Sequence, residues 1–370
     1  MKIRLAIQQR VIPAYRAPFL ELLAKQPEIE LGVIAGAPQP GEMIKIVDQL
    51  EGVDYQFTKN IHLLHGKFYF CLQPQFPAWV KNWQPDVLIV EANPRYRSTP
   101  SAQRWMKSQK KPVIGWGLGV PQSSRPVFFI RNYARTQFLK SFNSLIAYSK
   151  RGAQGYIQAG FDPKKVYVAM NATAASPTNP PPNRLIWHSD YTPILLYVGR
   201  LQPRKRLDAL ISVCSQLPEK MQPDLWIVGD GAIRSELESL AAKTYPKTKF
   251  WGETFGEELD SIFNQADLFV LPGTGGLAVQ QAMAHALPVI VAEGDGTQSD
   301  LVTDENGWNI SPNDSQALMD AISSALSSPE KLRQKGLAAY QTVKTRVNID
   351  QMVSVFLNAS LDAYTRGNRQ

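Results

Sequence analysis

The sequence predicts an α/β protein made of two successive parallel-sheet units. Three observations carry this. Short apolar runs of strand length alternate with amphipathic stretches of helical length, the pattern of strands joined by crossover helices. The series occurs twice. Between the two copies lies S-P-T-N-P-P-P-N at 176–183, too rich in proline to supply a helix or a central strand. A chain of 370 residues, 44% hydrophobic, is also long enough for two cores.

In the first series Ile3–Ile7, Leu31–Ala35, Val87–Val90 and Val113–Trp116 read as strands; in the second, Ile194–Val198, Leu225–Val228, Leu268–Leu271 and Val289–Ala292. The predicted boundaries are 1–175 for the first domain, 176–188 for a linker, 189–347 for the second domain and 348–370 for a C-terminal segment. In that segment Asp350–Tyr364 reads as an amphipathic helix that could return to the first domain. No period of solenoid or propeller length is present.

Charge divides the chain unevenly. Residues 1–180 hold 23 basic and 10 acidic side chains, a balance of +13, while 181–370 hold 17 and 22, a balance of −5. The halves are expected to meet different partners. The N-terminal M-K-I-R-L-A-I-Q-Q-R is interrupted by Arg4 and by Gln8–Arg10, so it reads as a first strand and not as a signal peptide. No apolar run approaches the roughly 18–20 residues of a spanning helix. The expected location is the cytoplasm, with a peripheral place at the inner face of the membrane left open. Cys71 and Cys214 are far apart in sequence and suggest neither a disulfide framework nor a metal motif.

Two loops carry the chemistry. Strand Ile194–Val198 ends in Gly199, followed by Arg200-Leu201-Gln202-Pro203-Arg204-Lys205-Arg206. Ligands of open α/β sheets bind at the carboxyl ends of strands, and Arg200 and Lys205 suit a diphosphate through a forked guanidinium and a point charge. A solvated basic loop is the alternative. Strand Leu268–Leu271 then runs into Pro272-Gly273-Thr274-Gly275-Gly276-Leu277 and a helix from Ala278. Glycines allow close backbone approach, and the helix N-terminus offers unpaired N–H groups to a phosphate.

These segments, with I-V-G-D-G at 227–231, A-D-L-F-V-L-P at 266–272, Q-A-M-A-H-A-L-P-V-I at 281–290 and D-E-N-G-W at 304–308, resemble the family-four retaining glycosyltransferases of GT-B fold. In the first half N-P-R at 93–95, G-W-G-L-G at 115–119 and A-Y-S at 147–149 are similar to the bacterial surface-polysaccharide type. The resemblance implies two Rossmann-like domains facing each other across a cleft. It implies a sugar moved from a nucleotide-sugar to a glycan or lipid-linked acceptor, with retention, without a metal and without a cofactor, the donor being a UDP or GDP type. Arg200 and Lys205 would hold the diphosphate, helped by the N–H groups of Gly276, Leu277 and Ala278. Gly199, Gly273, Thr274, Gly275 and Gln281 would line the donor, with the base near Gly229, Asp230, Gly231, Trp251 and Gly252. Arg16, Asn93, Arg95 and Gly117 would face the acceptor. Two other classes stay open: a non-catalytic GT-B protein that binds nucleotide or assists a partner, and a nucleotide-sugar epimerase.

The chain departs from the family pattern where two glutamates usually stand eight positions apart, since these positions hold Gly273 and Gln281. Glu293, Asp295 and Asp300 are nearby acids that could substitute, or be solvated loop residues. Glu91, where the family often has histidine, could orient the acceptor hydroxyl or take its proton; the alternative is a capping acid or an ion pair with Arg95 or Arg97. His62 and His65 could share a helical face, but no further ligand completes a zinc set. His188 and His285 carry no catalytic signal. The segment Arg125–Lys140, with Phe128, Phe129, Tyr133 and Phe138, mixes cations and aromatics in a way that suits an anionic membrane surface. Core packing of its aromatics is equally compatible. No nucleic-acid-binding module accompanies the positive charge.

Overall fold

The structure is a computed structural model and describes residues 2–39, 41–42, 44–120, 129–187, 191–294 and 296–367. The chain divides into two compact units, Met1–Thr173 with Ile349–Gln370, and Ala174–Asn348.

Among the described residues the first unit holds a seven-stranded sheet and a short hairpin. Its strands are β1 (Ile3–Gln8), β2 (Ile29–Gly36), β3 (Asp54–Thr58), β4 (Ile61–Leu63), β5 (Phe70–Leu72), β6 (Val87–Glu91), β7 (Val113–Gly117), β8 (Ser144–Ala147) and β9 (Val166–Val168). The sheet order is β3-β2-β1-β6-β7-β8-β9, all parallel, and β4 and β5 pair antiparallel. The middle of β1 shows no alternation of apolar and polar residues because both faces are covered: Leu5, Ala6 and Ile7 are all fully buried. On one face, Trp83 packs so close to β2 that a Cβ on Gly32 would lie 2.5 Å from its indole.

The other face is closed by the chain's last helix, Ile349–Gly367. Met352, Val353, Phe356, Ala359 and Ala363 recur at helical spacing and are buried. Phe356 stands edge-on to Phe19 and Trp116, with ring centroids 4.8 Å from each. A ring buried in this way contributes roughly 2–3 kcal/mol. Asp362 ties the helix to the edge strand β9 by accepting from Tyr167 Oη and pairing with Arg366. Both cysteines are buried and unbridged.

The second unit's strands are β10 (Ile194–Val198), β11 (Asp224–Val228), β12 (Thr248–Gly252), β13 (Leu268–Leu271), β14 (Val289–Ala292) and β15 (Gly307–Ile310). Their parallel order, β12-β11-β10-β13-β14-β15, is the doubly wound arrangement with a reversal of strand order between β10 and β13. The proline-rich run before β10 is not a free tether. Arg184 donates to the carbonyls of Phe263 (2.8 Å), Ala266 (2.9 Å) and His285 (2.5 Å), fixing the run to this unit. Burial pushes that guanidinium down to about 10. Neighbouring Arg333 pairs with buried Asp267 at 2.6 Å and caps the Leu185 carbonyl.

Candidate functional site

In a doubly wound sheet the crevice for ligands opens where strand order reverses, beyond the carboxyl ends of the strands. In the second unit that point is flanked by the loops after β10 and β13, the two basic and glycine-rich segments. They are locked together. The Thr274 N–H donates to the Arg204 carbonyl at 3.1 Å, and the Arg204 side chain returns a bond to the Thr274 carbonyl at 3.0 Å. Lys205, only 5% exposed, donates through Nζ to the carbonyls of Thr274 (2.9 Å) and Gly275. Two of three ammonium N–H bonds thus hold the loop, leaving one for a further acceptor. Burial, then the charge of Arg204, pushes the Lys205 ammonium down to about 8.

The close approach explains Gly273. A Cβ there would lie 2.1 Å from the Arg204 carbonyl oxygen and 2.5 Å from the Lys205 Cα. No side chain fits without moving the β10 loop.

The β11 and β12 loops join the same assembly. Gly199 N–H donates to Val228 O, Leu201 N–H to Asp230 O, and Gly229 N–H to Gly252 O, at 3.0, 2.9 and 2.7 Å. Cβ atoms on Gly229 and Gly231 would meet the carbonyl oxygens of Gly199 and Leu201 at 2.1 and 2.2 Å. Arg200 is exposed beside this junction, and Tyr197 Oη donates to its carbonyl at 3.0 Å. Asp230 accepts from its neighbour Gly231 and pairs with Arg234 at 3.1 Å, which holds its carboxyl below the usual range. Trp251 has Lys249 Nζ 3.4 Å from its ring centre and Trp226 edge-on at 5.0 Å. Gln281 lies in the helix Ala278–Ala284 that follows Leu277; its side chain is half-buried and makes no hydrogen bond among the described residues.

The first unit reverses strand order between β1 and β6, so its corresponding point lies between segments 9–16 and 91–97. Glu91 ends β6 and accepts from the Arg10 N–H at 2.6 Å. Neither Arg95 nor Arg97 is its partner: Arg97 stacks on Phe70, and the Arg95 N–H donates to Asn93 Oδ1 at 3.1 Å. Burial pushes the Glu91 carboxyl up to about 7, against the pull of Arg10 and Arg16. Arg10 grips Glu42 through both terminal nitrogens, at 2.8 and 3.0 Å. Arg16 is 3% exposed, its Nη1 meets the Met352 sulfur at 3.6 Å, its Nε has no partner among the described residues, and Trp116 lies 5.0 Å away. Gly117 closes β7 against Ala92 and Tyr156.

Glu42 was not legible in sequence because its pairing with Arg10 spans 32 residues. Arg204, one of the loop cations, is exposed yet braces the β13 loop through the Thr274 carbonyl, a contact between positions 70 residues apart that no spacing signals. His62 lies in strand β4 and bonds Tyr69 Oη at 2.9 Å, which corrects the expected shared helical face with His65. His285 bridges Asn264 and Asp260 and stacks on Phe263. Glu293 accepts from Gly296 N–H at 3.1 Å, and Asp300 sits in the helix Thr297–Leu301. Phe138 packs in the core against Phe142, while Tyr133 is exposed. Arg125, Phe128, His188 and Asp295 lie outside the described residues, as does the side chain of Phe129.

Known proteins share this architecture. Residues 187–342 match the family of glycosyl transferases group 1. The fold is GT-B: the Anabaena protein HepE, in a crystal structure with UDP, superposes with a TM-score of 0.68 at 17% identity, covering 98% of this chain and all of that one. Over 118 residues the chain is 35% identical to the sulfoquinovosyl transferase SQD2 of Arabidopsis thaliana, covering 31% of this chain and 22% of that one. It is 26% identical over 246 residues to a GDP-mannose-dependent monoacylated α-(1-6)-phosphatidylinositol monomannoside mannosyltransferase of Corynebacterium glutamicum, covering 61% of each. The chain therefore spans less than two thirds of the length of these two relatives. The match to the glycosyl transferases group 1 covers most of the second unit.

Proposed function

We propose that the protein is a glycosyltransferase. It binds a nucleoside diphosphate sugar at the β10–β13 reversal of the second unit and transfers the sugar, with retention, to a glycan or lipid-linked acceptor on the first. The observation that carries this reading is the clasp of the β10 and β13 loops, in which Arg204 and Lys205 hold Thr274 and Gly275 at the reversal of strand order; in this reading Arg200 and the N–H groups of Gly276, Leu277 and Ala278 complete the phosphate site with Lys205. Such fixed positive groups stabilise a departing diphosphate without reorganising. The family match over 187–342 and the UDP bound in HepE support it. The base packs by Gly229–Gly231 and Trp251–Gly252, with Gln281 at the ribose. Product analysis tests the class: transfer to an acceptor supports it, altered sugar without acceptor identifies an epimerase, and nucleotide binding with no turnover identifies a binding protein.

The two family glutamates correspond to Gly273 and Gln281 in this reading. Gln281→Glu restores a charged acceptor at the ribose, and charged hydrogen bonds are the stronger kind. The variant is expected to bind ribonucleoside diphosphates several-fold tighter, about 1 kcal/mol, with no gain for 2′,3′-dideoxy analogues. Equal gains on both ligands by isothermal titration would remove Gln281 from the ribose.

Glu91 serves the acceptor, with Arg16, Asn93, Arg95 and Gly117 around it. A carboxyl at about 7 is matched to proton transfer near neutrality. The rate is expected to fall below pH 7 as Glu91 is protonated, and Glu91→Gln to lose most activity and that acid limb together. Linkage gives an independent readout. Native Glu91 keeps its proton up to about 7 while the unfolded group releases it near 4.5, so folding loses stability as pH rises through that window. Gln can still accept from Arg10, so the variant should melt above wild type at pH 8 and level with it below pH 4.5.

A further inference from the structure

We propose that the tip of the β4–β5 hairpin inserts into anionic lipid and seats the first unit on a membrane surface. Twelve large apolar side chains stand exposed among the described residues, and four of them, Phe57, Leu63, Leu64 and Phe68, fall within residues 57–68. Leu64 is 61% exposed and Phe68 72%. Both sit in the turn between the strands, where Leu64 and Gly66 adopt positive φ and fold the chain back sharply.

The base below the tip is firmly built. His62 bonds Tyr69 Oη at 2.9 Å, and Arg97 lies 4.3 Å from the Phe70 ring centre. Cys71 N–H donates to Arg95 O at 3.0 Å and Arg97 N–H to Cys71 O at 2.9 Å. An apolar tip held out by a braced base is a stable feature of the fold, since collapse onto the core would break these contacts.

Charge selects the occupant. No acidic residue lies between Asp54 and Asp86, whereas Lys59, Lys67 and Lys81 do, and exposed Arg95 and Arg97 flank β5. Apolar side chains beside an acid-free basic stretch are the combination that binds the interface of anionic bilayers. A protein partner would need roughly 800 Å² of this surface, more than a six-residue turn supplies. Of the segment 125–140 that the sequence singled out for membrane contact, residues 125–128 and the side chains of 129–132 lie outside the described residues; among the described ones the exposed apolar side chains cluster at 57–68. Because β5 pairs with 95–97, directly after Glu91 and Asn93, an inserted tip brings the lipid surface to the acceptor side. That last step rests on the acceptor reading above, while the insertion itself does not.

The test is co-sedimentation of the full chain with phosphatidylcholine vesicles, with and without phosphatidylglycerol, comparing wild type with Leu64→Ser/Phe68→Ser. Wild type should bind the phosphatidylglycerol vesicles, and the double variant should bind at least about tenfold more weakly. The melting temperature and nucleoside diphosphate affinity should stay as in wild type, since both side chains are exposed. Salt should weaken both proteins through the basic residues, leaving their ratio constant. Leu64→Phe/Phe68→Trp should retain binding, which covers the case of a poorly folded serine variant. Absence of wild-type binding at low salt, or equal binding by the serine variant, overturns the proposal. So does a loss of self-association in the serine variant by sedimentation velocity with vesicle binding unchanged. Vesicle binding by a protein that takes up no nucleotide would overturn the donor reading and leave the hairpin standing.

Discussion

Gly273→Glu is expected to abolish nucleoside diphosphate binding and to destabilise the protein by roughly 2–4 kcal/mol. The cause is steric and local. The first side-chain carbon would sit 2.1 Å from the Arg204 carbonyl oxygen and 2.5 Å from the Lys205 backbone, and backbone cannot rotate away as a side chain can. The β10 loop would have to lift, breaking the Thr274–Arg204 bond and releasing Lys205 from the Thr274 and Gly275 carbonyls. Urea unfolding and calorimetric titration check the two parts. An unchanged unfolding midpoint would mean that the clasp is not the rigid unit described. Gly273→Ala collides at the same carbon, so it should show much of the stability loss without the added charge.

Lys205→Met is expected to weaken nucleoside diphosphate binding by about 10- to 100-fold, the range for a charged hydrogen bond of roughly 1.5–3 kcal/mol. The methionine keeps most of the buried stem and removes the ammonium. Its pH dependence separates charge from packing. Native Lys205 loses its proton near 8 and the unfolded side chain near 10.5, so between these values the unfolded chain binds more protons and stability rises with pH. Wild type should therefore gain stability relative to Lys205→Met from pH 8 to 10. Over the same range wild-type affinity for a diphosphate should fall, because the neutral amine no longer attracts it, while the variant stays flat. Parallel curves for the two proteins would remove Lys205 from the phosphate.

What could be read from the sequence follows the physics of burial. β1, β6, β10, β13 and β14 are covered on both faces, so their residues form continuous apolar runs that announce a parallel strand. β3, with D-Y-Q-F-T, and β12, with T-K-F-W-G, lie at sheet edges and retain polar residues, so neither stood out; β15, with G-W-N-I, escaped for the same reason. The hairpin was missed because its pairing is only three residues long on each side.

The site was legible in part. Gly199, Lys205, Gly273 and Gly276 stand out as candidates because strand, glycine and cation follow one another within a few residues. The reason for Gly273 was hidden, since it depends on Arg204, far earlier in the chain. The partners of Glu91 also lay beyond sequence reach: Arg95 and Arg97 were near in the chain, but Arg10, 81 positions away, supplies the N–H. Arg184 looked like part of a tether and instead ties three carbonyls of the second unit.

The most direct test of the donor site is a thermal-shift panel of nucleoside diphosphates and nucleotide-sugars on wild type and Lys205→Met. A ligand that binds the native state raises its melting temperature by mass action, by about 2.7 kcal/mol of stability at a hundredfold excess over Kd. Wild type should show a clear upward shift with one base, with the free diphosphate and its sugar ester both active, and the variant a much smaller shift. No shift with any member of the panel, or equal shifts for the two proteins, would contradict a donor site built on Lys205.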